Sequence, residues 1–407
     1  MKFIADFHIH SHYSLATSNM LIPEMLDLWG KKKGIAVIGT GDAVHPGWLN
    51  ELREKLVAVG NGLYTLKKKY VQSCTGSFGT EKVHFVLTSE ISCIYKRDGR
   101  VRKVHNIVIA PSFPAIQKIQ KALADIGNIS TDGRPVIGID SRDLLEIVLS
   151  ADENACIIPA HIWTPWFSVL GSKSGFDSID ECFGDLSDQI FALETGLSSD
   201  PLMNRQCTML DRFTLVSNSD AHSPENLGRE ANLFDTEMSY IGILNAMKKK
   251  NGGFIGTIEF FPGEGKYFLD GHRKCGICWE PSETKKHNGI CPVCGKKVTV
   301  GVLNRVSEFA EISVDRVCIN PPFFTITPLK NVIAEVLNIG AVTRKVAAVY
   351  DGLLCSCGSE LSILLDIPIE EIQKINSRVA EGVRRLRNGN VQIENGYDGV
   401  FGRVRIF

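Results

Sequence analysis

With 407 residues, 45 Lys/Arg against 46 Asp/Glu and a net charge of −1, the chain exceeds one ordinary core and is no polycation built to coat nucleic acid. Hydrophobic residues at 44% and charged ones at 22% are the proportions of a water-soluble protein of two or three domains. No apolar run approaches the roughly 20 residues that span a bilayer, and Asp6, His8 and His10 interrupt the early apolar stretch as no signal peptide would, so a cytoplasmic protein without a membrane partner is expected.

In chain order, short runs rich in Ile, Val, Phe and Ala predict strands at 3–8, 34–40, 83–90, 105–110, 155–160, 190–194 and 213–217. Amphipathic stretches at 22–32 and 141–150 lie between them, and the alternation predicts a parallel sheet, open or closed into a barrel, over residues 1–265. The pattern changes near 262–265. Residues 266–302 read as a small Cys-, Lys- and Gly-rich module and 303–407 as a helical domain, and together they carry 19 Lys/Arg against 15 Asp/Glu. Within it Ile372, Ile375, Val379, Val383 and Leu386 make one apolar stripe, predicting a helix over 369–386 that stops at Gly389.

Polar residues cluster where strands end. Asp6, His8 and His10 follow the first strand, Asp42 the second, Glu90 the third, His161 the fifth, Glu194 the sixth, and Asp220 and His222 the seventh. Active sites of parallel α/β sheets gather at that edge. His8 and His10, two apart, point the same way, so one ion can take both imidazoles, and a carboxylate such as Glu90 can bridge two ions. Asp220 and His222 repeat the spacing. His105 and His161 can supply a second ion, and Asp42 and His45 a third with His222. His12, His84, His272 and His287 are placed outside this cluster.

Cys275-x-x-Cys278 and Cys291-x-x-Cys294, twelve residues apart, offer four thiolates to one structural zinc. Cys74, Cys93, Cys156, Cys182, Cys207 and Cys318 are scattered, and most are expected as small hydrophobes of the core.

The motifs His8-Ile9-His10, Gly41-Asp42, Glu90, His105, His161 and Asp220-Ala221-His222 resemble those of the PHP (polymerase and histidinol phosphatase) superfamily. That resemblance implies a distorted seven-stranded (β/α) barrel with two or three divalent ions, zinc, manganese or magnesium. It assigns His8, His10, Glu90 and Asp220 to the first ion, Glu90, His105 and His161 to the second, and Asp42, His45 and His222 to the third. The sequence departs from the pattern at Gly41-Asp42-Ala43, with His45 two places late, and at Ala16. Both departures touch the third ion.

A barrel followed by a four-cysteine zinc module and a basic helical tail resembles the endonuclease Q family along essentially the whole chain. The longer strings 6–18, 159–168, 193–201, 217–224 and 396–399 carry the likeness. It implies a metal-dependent DNA repair endonuclease that cuts 5′ to uracil, hypoxanthine, xanthine or an abasic site, leaving 3′-hydroxyl and 5′-phosphate. Glu90 and Asp220 are then the catalytic carboxylates, with Glu194 outside the ligand shell. Trp163, Trp166 and Phe167, directly after His161, are expected on the DNA-facing rim. Residues 337–346 resemble a helix-hairpin-helix phosphate-binding element, so Arg344 and Lys345, with Arg384 and Arg385, are assigned to DNA contact. A processivity clamp is a partner compatible with such a nuclease, although no segment marks its docking peptide. The competing readings are a phosphatase of a small phosphomonoester, a PHP exonuclease, and a non-catalytic nucleic-acid-binding module.

Overall fold

A computed structural model describes residues 1–72, 82–249 and 252–407; Cys74 lies outside them. All seven predicted strands are present, as Lys2–Asp6 (β1), Val37–Gly39 (β2), His84–Arg97 (β3), Arg100–Ala110 (β4), Cys156–Pro159 (β5), Ala192–Glu194 (β6) and Thr214–Val216 (β7). They do not form a wholly parallel sheet. β1 pairs with β2, and β2 with β3, in parallel, but β4 runs antiparallel to both β3 and β5. β6 and β7 form a separate parallel pair.

The reversal has a local cause. Asp98 and Gly99, between β3 and β4, both have positive φ (52° and 72°), the backbone of a tight hairpin turn. The hairpin holds eleven residue pairs, from Leu87 opposite Ala110 to Arg97 opposite Arg100. β3 therefore continues past its predicted end at Glu90, which lies within the strand. Continuous apolar runs look alike in either direction, so their sequence did not reveal the sense of β4.

Strands β1 to β7 all send apolar side chains into one enclosed cluster, among them Ala5, Val37, Val86, Ile107, Ile158, Ala192 and Val216. Alternate residues of β3, namely Phe85, Leu87, Ile91 and Cys93, face outward into the larger core with the helices Phe113–Ala124 and Ser141–Ala151. Period-two alternation thus separates two apolar faces. Along the inner face of β3, Val86 gives way to Thr88, Glu90 and Ser92, all buried.

Three further strands extend the sheet beyond β1. Ala231–Asp235 (β8) pairs antiparallel with β1, and Phe254–Phe260 (β9) with β8. Phe323–Ile326 (β10), within the segment read as helical, pairs in parallel with β9. The later helices also pack on the first part: Lys33 Nζ lies 2.8 Å from Glu360 Oε2, both buried.

The predicted helix over 369–386 is two helices, Ile369–Ile375 and Ser377–Arg387. Asn376 between them is extended, and its side-chain oxygen accepts from the Val379 amide at 3.1 Å. An Asn N-cap competes with helix continuation, so one apolar stripe runs across a break. Gly389, at φ 69°, follows the second helix as expected. Among the described residues, no helix is long and apolar enough to cross a membrane.

Candidate metal centre and adjoining cavity

Glu90 lies between two groups of potential metal ligands. On one side, ligand atoms of His8, His10, Glu90 and Asp220 all fall within 4.8 Å of one another; on the other, those of Glu90, His105 and His161 do. Glu90 Oε2 is 3.4 Å from both His8 Nε2 and His10 Nε2, and Asp220 Oδ1 is 3.0 Å from His10 Nε2. Glu90 Oε1 lies 2.5 Å from His105 Nδ1 and 3.4 Å from His161 Nε2. Each carboxylate oxygen thus faces a different group.

The donors fit divalent ions. His8 Nε2 is a buried polar atom without a hydrogen bond, an arrangement that costs free energy unless something else coordinates it. Burial disfavours charge on His10, yet Asp220 and Asp42 outweigh it and push its pKa up to about 9. Burial would raise Glu90, but His105, His8 and Arg134 hold it well below the ordinary range. Burial takes His105 down to about 4, leaving a neutral imidazole able to ligate.

The rings are held from behind. Glu194 sits 3.0 Å from His8 Nδ1, and its other oxygen accepts the His161 backbone N–H at 2.8 Å. Asn218 donates to Glu194 Oε1 at 2.9 Å while accepting the Phe7 amide at 2.8 Å. Such partners fix ring orientation and tautomer. Asp220 and His161 have positive φ, 46° and 30°, a costly conformation for these residues. The Arg229 guanidinium donates to the carbonyls of Ser219 and Asp220 at 2.7 and 3.2 Å, and Asp6 accepts the Ser219 amide at 3.1 Å. Glu194 therefore lies behind His8 and His161 and belongs to neither ligand group.

The third expected group is not assembled. Asp42 is fully buried and accepts from the Ser11 amide at 2.6 Å, from the hydroxyls of Ser11 and Ser14, and faces His10 Nδ1 at 3.2 Å. His45 caps a helix: its Nδ1 accepts from the Trp48 amide, and its Nε2 donates to the Ser130 carbonyl at 3.0 Å. With both ring nitrogens engaged it has none left for an ion. His222 meets His10 edge to face, with ring centroids 4.6 Å apart and planes inclined by 61°.

A cavity of about 340 Å³ opens beside the centre, lined by His105, His161, Glu194, Asp220, Trp166, Phe167, Lys266, Tyr267 and Phe401. Trp163, expected on the same rim, is 1% exposed and donates its indole N–H to Asn204 at 2.8 Å. It belongs to the core because the chain turns away from the mouth between 161 and 164. Arg344 and Lys345 are exposed at the start of the helix Arg344–Cys357, which Thr343 caps. Arg384 and Arg385 both pair with Glu381, and none of these four residues lines the cavity.

A separate group joins His272, Cys275, Cys291 and Cys294, again within 4.8 Å. Of the four cysteines expected from spacing, it includes three and not Cys278. Cys278 lies on the strand Ile277–Trp279, opposite Gly271 of Asp270–His272. Side chains alternate along a strand, so Cys278 faces away from the side that His272 occupies. The signal missed was His272-x-x-Cys275, a second ligand pair at the spacing of the Cys pairs.

The chain is similar to known proteins in both sequence and fold. The family described as the MJ0043 C-terminal domain matches residues 328–390. The uncharacterized protein MJ0043 of Methanocaldococcus jannaschii is 33% identical over 250 residues, 60% of this chain but only 31% of its own length. YqxK of Bacillus subtilis, also uncharacterized, is 26% identical over 422 residues, 99% of each chain. The lesion-specific endonuclease PfuEndoQ of Pyrococcus furiosus superposes with a TM-score of 0.86 at 30% identity, covering 100% of this chain and 95% of that one. An endonuclease Q bound to a 27-mer duplex with an abasic lesion at its active site gives 0.87 and 30%, covering 100% and 97%. The chain belongs to the endonuclease Q family.

Proposed function

We propose that the protein is a metal-dependent DNA repair endonuclease that cuts the phosphodiester 5′ to a deaminated base (uracil, hypoxanthine or xanthine) or an abasic site, leaving 3′-hydroxyl and 5′-phosphate. The observation that carries this reading is Glu90, one buried carboxylate whose two oxygens face two separate ligand groups. In this reading β1 to β7 form a distorted seven-stranded PHP barrel, and residues 266–302 form a zinc module.

His8, His10, Glu90 and Asp220 would hold one divalent ion (zinc, manganese or magnesium), and Glu90, His105 and His161 another. Bound there, such ions acidify water toward neutral pH and offset charge on phosphoryl oxygens. The chain does the rest. Glu194 and Asp42 orient the imidazoles of His8 and His10 from behind. Asp6, Asn218 and Arg229 keep the loop of Asp220 in place. The adjoining cavity is roomy enough for an extruded nucleotide, and Trp166, Phe167, Tyr267 and Phe401 offer faces for stacking. Exposed Arg344 and Lys345 would contact the phosphate backbone. His272, Cys275, Cys291 and Cys294 would close a tetrahedral structural zinc site with no open position. A processivity clamp is no part of this reading.

The test is incision of end-labelled duplexes each carrying one uracil, inosine, xanthine or abasic site, with Asp220→Asn as control. A single cut 5′ to the lesion, lost in the control, is expected. Laddering from an end would identify an exonuclease instead, and hydrolysis of a small phosphomonoester with all duplexes intact a phosphatase.

A further inference from the structure

The residues expected to hold a third ion instead fasten a loop. His45 Nε2 donates to the Ser130 carbonyl at 3.0 Å, and Gly133 donates its amide to the Tyr13 carbonyl at 3.0 Å. A Cβ at Gly133 would lie 2.2 Å from Asp42 Oδ2 and 2.5 Å from Ser14 Oγ, so the backbone presses directly on the buried carboxylate. Asp132 Oδ1 accepts the amides of Leu15 and Arg134, both at 3.2 Å, and Ser92 donates its amide to the Pro135 carbonyl at 3.0 Å. The loop is fixed from the first histidine motif, from the helix after Asp42 and from β3.

What the loop delivers is Arg134. Its Nη1 reaches Glu90 Oε2 at 3.3 Å, and its side chain is 28% exposed at the mouth of the centre. This is the one hydrogen bond of its guanidinium among the described residues. A guanidinium has five N–H donors in a planar fork that matches phosphate oxygens, and most of these remain free for a ligand.

We propose that Arg134 is a catalytic residue whose guanidinium stands in for a third cation and grips the non-bridging oxygens of the scissile phosphate. The inference rests on the phosphodiesterase reading above. Charge that grows on those oxygens during displacement would meet a fixed donor pair, and such preorganised donors lower the barrier most where water is scarce. The loop contacts hold the arginine before substrate arrives, so little ordering is left to the reaction itself.

The experiment replaces Arg134 by Met and by Lys in the full chain and measures two quantities. Metal content per chain is counted by plasma mass spectrometry, and single-turnover incision is followed on the lesion duplex that the native protein cuts best. Arg134→Met should keep the native metal content while incision falls at least about 100-fold. Arg134→Lys, with the charge but without the fork, should recover only part of that loss. A rate within threefold of native in the Met variant overturns the proposal. So does metal content that falls with the rate, because Arg134 would then only support Glu90. A native protein that cuts no duplex overturns the functional reading itself.

Discussion

The indole N–H of Trp163 donates to Asn204 Oδ1 at 2.8 Å inside the core, while Trp166, three residues on, stands 37% exposed at the cavity beside His161. The two tryptophans therefore have separable effects. Trp163→Ala should destabilise the fold by about 3–5 kcal/mol, the usual cost of emptying a buried aromatic site. Trp166→Ala should leave the melting temperature near native and impair incision. Thermal unfolding beside a kinetic assay reads both, and a melting loss in Trp166→Ala equal to that of Trp163→Ala would contradict the assignment.

The second metal group offers a comparison between cysteines. Cys278→Ser should retain zinc, because its side chain faces away from the group. His272→Ala or Cys275→Ser should lose zinc and lower the melting temperature, since ion binding in so small a module is linked to its folding. A chromophoric chelator assay on the unfolded proteins counts the released ion. Equal loss in Cys278→Ser and Cys275→Ser would restore the four-cysteine set.

His45 gives a third test. Both its ring nitrogens are engaged, so His45→Gln should bind as many ions as the native protein. Its deficit should instead appear as a slower reaction, because the loop from Ser130 to Arg134 loses a tether. One ion fewer per chain would return His45 to the ligand set.

Glu264 predicts a pH dependence of stability. Burial pushes its pKa up to about 8, against hydrogen bonds from Thr327 and the Val404 backbone and the charge of Arg229. The ordinary value is 4.5. Between those two values the folded state holds a proton that the unfolded state has released, so stability falls as pH rises from about 4.5 through about 8. Glu264→Gln, neutral at every pH, should match the native protein near pH 5 and melt at a higher temperature at pH 9. Parallel curves of melting temperature against pH for the two proteins would show that the group does not titrate in this way.

Much of the site was legible because its chemistry is local: His8-Ile9-His10 and Asp220-Ala221-His222 show their spacing in the sequence itself. Glu90, His105 and His161 could be selected beside strands, and their convergence is what the structure adds. Less legible were residues whose role depends on direction or partner. Trp163 and Trp166 are the same residue type in one hydrophobic string, and only the turn after His161 sends one inward and the other outward. Asp42 and His45 carry ligand atoms, but the Ser11, Ser14 and Ser130 groups that occupy them lie far off in the chain or offer only backbone and hydroxyls. Arg134 in a loop had no motif to mark it. The sense of β4 rested on Asp98-Gly99, a turn signal between two long apolar runs.

β1 is the first strand in the chain, yet it is an interior strand of the sheet, flanked by β2 and by β8 at Ala231–Asp235. Asp220 and the loop that braces Glu194 also come some two hundred residues after His8. During synthesis, the segment bearing His8 and His10 must therefore wait while most of the first 235 residues leave the ribosome. Until then the edge that β8 will cover stays open, and His8 and His10 lack Glu194 and Asp220. A ribosome stalled before that point would display a chain with the cation-gathering motif but without the centre it serves.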